Sequence, residues 1–151
     1  MEDASYFDDQ FAPGARDPFA VADASMPGVV SVLEARDAAR RGDYPAALAA
    51  LSLARAGGVP VELVPHARIL EGAALVLDGN HDAALSLLTD AWREHPDVAM
   101  LPAALGAAQY ASGNAAASAR SLFAALASED PDGSLVVHRQ LLTQLLRIMS
   151  R

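Results

Sequence analysis

The chain contains no cysteine, so disulfides and thiolate metal ligation are excluded. It contains no lysine either: the Lys+Arg count of 11 is all arginine. A P-loop, which needs a lysine to reach the nucleotide phosphates, is therefore ruled out. No apolar run approaches the roughly 18 residues that a membrane-spanning helix requires. The opening Met1-Glu2-Asp3 is acidic where a secretory signal would be basic. No membrane insertion and a cytoplasmic location are the expectations. Positive charge is scarce as well, with a net charge of −8. That balance disfavours nucleic acid, whose binding rests on a cationic face that displaces phosphate counterions.

Aromatic residues make up only 5% of the chain, and they are oddly placed. Three of the four phenylalanines, Phe7, Phe11 and Phe19, fall with Tyr6 ahead of Pro27. The same stretch holds six acids against the single Arg16, a net charge of −5, which leaves −3 for the rest. Pro13, Gly14, Pro18 and Pro27 interrupt any helical period there. Residues 1–27 thus read as a flexible acidic-aromatic leader. Its rings could pack on the first helices, or Tyr6, Phe7, Phe11 and Phe19 could dock in a groove of this chain or of a partner.

What the sequence does have is alanine, its commonest residue, together with abundant leucine. Alanine has the highest intrinsic helix propensity, and its small side chain lets helices approach closely. An all-α fold follows. Breakers then divide the body into helices. Pro27 opens one that Gly42 ends, and Asp43 and Pro45 open a second reaching about residue 56. Gly57-Gly58-Val59-Pro60 breaks the chain, and Pro65 opens a third helix that ends near Gly79. A fourth spans about 82–94 and stops before Pro96. A third pair covers about 98–112 and 115–128, provided Pro102 lies in a first turn. A last helix spans 135–149, capped by Ser134.

One unit is written repeatedly. Gly72 recurs as Gly106, Gly79 as Gly113, Asn80 as Asn114, Leu88 as Leu122 and Ala91 as Ala125, always at the same offset of 34. An earlier copy, with Gly42-Asp43, Ala47, Leu51 and Ala54, precedes the second at an offset of 37. The difference fits a short extension of the 57–65 loop. A period of 34 with a glycine between two helical segments marks a helix–turn–helix repeat. No such pair buries its own apolar face, so the units must stack.

The turn phrases Gly42-Asp43-Tyr44, Gly79-Asn80-His81 and Gly113-Asn114-Ala115 resemble the inter-helix turn of tetratricopeptide repeats. Ala47, Ala84 and Ser118 match the family's small position on the second helix. Leu51, Leu88 and Leu122 match its large apolar one, and Ala54, Ala91 and Ala125 its second small one. Leu105-Gly106 matches the leucine–glycine pair of the first helix, Gly72 the glycine alone, and Pro96 the terminal proline. The departures are Ser31, Arg68 and Pro102 at the family's tryptophan position, and Glu71 at its leucine. The resemblance implies a short α-solenoid of three repeats, at about 28–60, 65–98 and 99–131. Residues 132–151 would follow as an amphipathic capping helix.

Chemistry finds no foothold. There is no Gly-x-Ser-x-Gly nucleophile elbow. His66, His81, His95 and His138 show no metal-ligand spacing. His81-Asp82 is the most tempting dyad, but it sits in a repeat turn, where a capping role is expected. No catalytic residue, metal or cofactor is anticipated, and the chain reads as a non-enzyme.

The resemblance implies instead a groove lined by the first helices. Carried over residue by residue, its lining is Val29, Val32, Arg36 and Arg40 from unit one. Unit two gives His66, Ile69, Ala73, Val76 and Leu77, and unit three Met100, Ala103, Ala107 and Tyr110. The Lys/Asn clamp with which some family members hold the carboxylates of heat-shock protein tails is missing, because Val32, Arg36, Leu70, Met100 and Ala104 occupy those positions. The groove suits an apolar or amphipathic segment of a protein or peptide partner. In size and architecture the chain resembles the tetratricopeptide chaperones of bacterial type III secretion. The expected function is therefore that of an adaptor or chaperone. The alternative is an assembly subunit of a bacterial complex. It rests on the last helix, whose Leu141, Leu142, Leu145, Leu146 and Met149 offer a homodimer contact or a seat for a partner helix.

Overall fold

The computed structural model describes residues 25–98 and 100–127. Six α-helices account for most of them: α1 (Pro27–Arg40), α2 (Tyr44–Gly57), α3 (Val64–Leu77), α4 (His81–Glu94), α5 (Met100–Ala111) and α6 (Ala115–Ala127). A 3₁₀ turn, Val61–Leu63, precedes α3. There is no strand among the described residues. Prolines start helices here rather than break them. Pro27, Pro45 and Pro65 stand at the first positions of α1, α2 and α3, where the missing N–H has no intrahelical partner to lose. Pro102 lies in the first turn of α5, as its tolerance required. The leader's aromatics and the 135–149 helix lie outside the described residues.

Each helix pair is joined by the same turn, and its chemistry is compact. Gly42, Gly79 and Gly113 take φ of 79°, 86° and 89°, a left-handed conformation that costs glycine little. Around Gly79, its own N–H donates to the Val76 carbonyl at 3.0 Å and the Asn80 N–H to the Leu75 carbonyl at 2.8 Å. That is the Schellman pattern, which satisfies the last carbonyls of α3. The Asn80 side chain then accepts from the Ala83 N–H, satisfying a first-turn donor of α4. Asp43 and Asn114 repeat both halves of this arrangement, accepting from the Ala46 and Ala117 N–H groups. One residue therefore closes one helix and opens the next.

Within a pair, the repeat positions interlock. A Cβ on Gly72 would lie 2.6–2.8 Å from the isobutyl carbons of Leu88, so only glycine admits that leucine where it now sits. Gly106 and Leu122 make the same lock, with approaches of 2.9 and 3.0 Å. In the first pair Ala35 takes the glycine's place opposite Leu51, and both are buried. Burying each such leucine contributes about 1.5–3 kcal/mol. The small position of the second helix is fully buried in all three pairs: Ala47, Ala84 and Ser118. Ser118 adds a bond the alanines lack, its hydroxyl donating to the Gly106 carbonyl at 2.6 Å.

Between pairs, α3 packs on both α2 and α1, and α5 packs on both α4 and α3. No comparable packing joins α2 to α4 or α4 to α6. The first helices of successive pairs thus form an inner layer and the second helices splay apart on the outside. Such a stack curves towards its inner layer, which is how a solenoid acquires a groove.

Candidate protein-binding surfaces

The inner layer receives the residues expected to line a groove, but it does not expose them equally. Val29, Val32, Ile69, Ala73, Met100 and Ala103 are buried and belong to the core. Their side chains pack between helices and present no contact surface. Arg36, Arg40, His66, Val76, Leu77, Ala107 and Tyr110 are half-buried, so they are the accessible part of the set. The physical reason is the helical step. One residue turns the side chain by about 100°, and the direction facing the groove lies only one step from the direction facing the adjacent inner helix. Arginines mark the α1 end of this surface, and aliphatic side chains and Tyr110 mark the α3 and α5 part.

A second concavity was not anticipated. A cleft of about 230 Å³ opens where α2 meets α3, lined by Leu51, Ala54, Arg55, Val59, Val64, Ala67, Arg68 and Glu71. Its walls are mainly aliphatic. Across its rim the Arg55 guanidinium donates to the Glu71 carboxylate at 2.6 Å. Arg68, half-buried in the wall, has no ion-pair partner among the described residues. The corresponding joint between α4 and α5 shows why the cleft exists. The repeat offset places Trp92 where Arg55 stands, Leu101 where Ala67 stands, and Pro102 and Leu105 where Arg68 and Glu71 stand. Leu101, Pro102 and Leu105 are buried, and Trp92 packs against the core. Charged side chains and one alanine have replaced the apolar bulk that closes the other joint. The sequence carried this signal in Arg68, Glu71 and the longer 57–65 loop, which all point to one joint.

His81 and Asp82 do not form a working pair. The His81 Nδ1 is buried without a hydrogen-bond partner among the described residues, and the cap of α4 is supplied by Asn80 rather than by either of them. Asp82 instead stands in the first turn of α4, where a carboxylate complements the helix dipole. Among the described residues no three His, Asp or Glu side chains gather in a way that could hold a metal ion. None of the described helices is long and apolar enough to cross a membrane.

Nothing among the curated proteins, and nothing among the solved structures, matches the chain. Residues 75–145 do match the profile of one family, described as tetratricopeptide repeat. The matched stretch runs from the end of α3 through α4, α5 and α6 and beyond the described residues. It includes the Gly79-Asn80 and Gly113-Asn114 turns and the Gly106–Leu122 lock. Over that stretch, a little under half of the chain, the paired helices match tetratricopeptide repeats, a family whose domains generally mediate protein–protein interaction.

Proposed function

We propose that the inner layer binds an apolar or amphipathic segment of another protein, and that the chain acts as a non-catalytic adaptor or chaperone. The observation that carries this reading is the accessible surface of α3 and α5. Val76, Leu77, Ala107 and Tyr110 are half-buried side chains that leave apolar area facing outward, without acidic residues among them. Arg36 and Arg40 make the α1 end charged rather than apolar, with Arg40 3.9 Å from the Asp37 carboxylate. An amphipathic helix laid along such a surface would anchor through residues at i, i+3, i+4 and i+7. Buried aromatic and aliphatic anchors would supply most of the affinity.

The test is a double substitution, Leu77→Glu with Tyr110→Glu, in the full chain. A library of amphipathic helical peptides should yield binders to the unmodified protein by fluorescence polarisation. The double variant should lose them while its far-ultraviolet circular dichroism stays unchanged. Binding that survives both charges would overturn the groove reading.

A further inference from the structure

The cleft between α2 and α3 is wide enough for an aromatic ring, and the leader holds a candidate. At the equivalent joint Trp92 supplies aromatic bulk, whereas here Arg55 turns to Glu71 and the aliphatic walls stand apart. A volume of about 230 Å³ exceeds the roughly 150 Å³ in which an apolar cavity accepts a benzene ring. Leu51, Ala54, Val59, Val64 and Ala67 give it those walls.

The course of the chain brings the leader to this place. A Cβ on Gly28 would overlap the Gly58 carbonyl oxygen, and Gly57 lies against Pro27. The start of α1 therefore rests on the loop that continues into Val59, a lining residue. Phe19 stands six positions before Ser25, and a chain of that length reaches about 20 Å when extended. The charges agree as well. The leader carries −5 in total, with Asp17 two positions before Phe19. The cleft presents Arg68 together with the Arg55–Glu71 pair, so its own balance is one positive charge.

We propose that Phe19 of the leader occupies the α2–α3 cleft, with the Asp17 carboxylate directed at Arg68. The seat lies in the joint between units one and two, distinct from the inner-layer groove. Its occupation completes the joint in the way that Trp92, Leu101 and Leu105 complete the next one.

The absence of cysteine makes a direct test clean. In the full chain, Ala20→Cys with Val59→Cys keeps the Phe19 ring and places one thiol beside it and one in the cleft. In a glutathione redox buffer this pair should form an intramolecular disulfide. Its effective concentration should be at least about tenfold above that of a Tyr6→Cys, Val59→Cys pair, and adding Phe19→Ala should remove that advantage. Arg68→Glu should weaken it by roughly threefold or more. Equal values for the two cysteine pairs would overturn the proposal, as would insensitivity to Phe19→Ala or a disulfide formed mainly between chains. A measurement on the unmodified protein guards against disturbance by the thiols. A nuclear Overhauser contact between the Phe19 ring and the Ala67 methyl is expected, and a resolved Ala67 methyl without it would equally overturn the proposal.

Discussion

The joint between α4 and α5 and the joint between α2 and α3 are built on the same repeat positions, yet one is packed and the other is open. At the packed joint Leu88, Ala91, Leu101, Pro102 and Leu105 are all buried. At the open joint Leu51 and Ala54 are still buried, but the facing helix offers Ala67, Arg68 and Glu71. The buried positions of the outer helix, Leu51 and Leu88 with Ala54 and Ala91, are therefore constant, and the variation lies in Arg55 against Trp92 and in the first two turns of the following inner helix. A repeat protein can thus retain its fold at every turn while altering a single interface. Stability in such an array is approximately a sum of unit and interface contributions, so the open joint should be the weaker link.

Substitutions at matched positions would sharpen or break this contrast. The largest effect is expected for Leu101→Ala, which empties a fully buried site at the packed joint. It should cost about 2–5 kcal/mol in urea unfolding. The reciprocal change, Ala67→Leu, adds apolar atoms to the cleft; in a Phe19→Ala background, with the ring removed, it should raise the urea midpoint by about 1–2 kcal/mol of stability. With Phe19 present the gain should be smaller, because leucine and ring compete for one space. Asn80→Ala removes a shared cap and should cost about 1 kcal/mol, and Asn114→Ala should behave alike because the two turns are equivalent. Smallest is Arg55→Gln. The Arg55 side chain is 59% exposed, so its pair with Glu71 should contribute at most about 1 kcal/mol. That contribution should shrink further in high salt.

Much of the fold was legible because its determinants are local. A Gly-Asn or Gly-Asp dipeptide specifies both a left-handed turn and the cap of the next helix, and those two constraints fix the helix ends closely. Leu88 opposite Gly72 was likewise readable, because both recur together one period later as Leu122 and Gly106. The inner-layer residues were less legible. Ile69 and Val76 both recur at apolar positions of α3, yet Ile69 is buried and Val76 is half-exposed. Separating them requires the position of the neighbouring inner helix, which no local pattern encodes. The cleft was legible only as a set of departures. Arg68 and Glu71 were visible as misfits, but their meaning depends on Leu51, Ala54 and Val59 arriving opposite them.

The shared turn residue has a consequence for how such an array can change over time. Between Leu77 and His81 there is no spare position, because Gly79 must reverse the chain and Asn80 must serve both helices at once. A length change there would break two terminations together. The segment from Gly57 to Val64 is under no such double duty. It is already longer than its counterpart in the next unit, and it still delivers α3 onto α2. An insertion should therefore be tolerated better between units than within them, and new surfaces should arise preferentially at the joints.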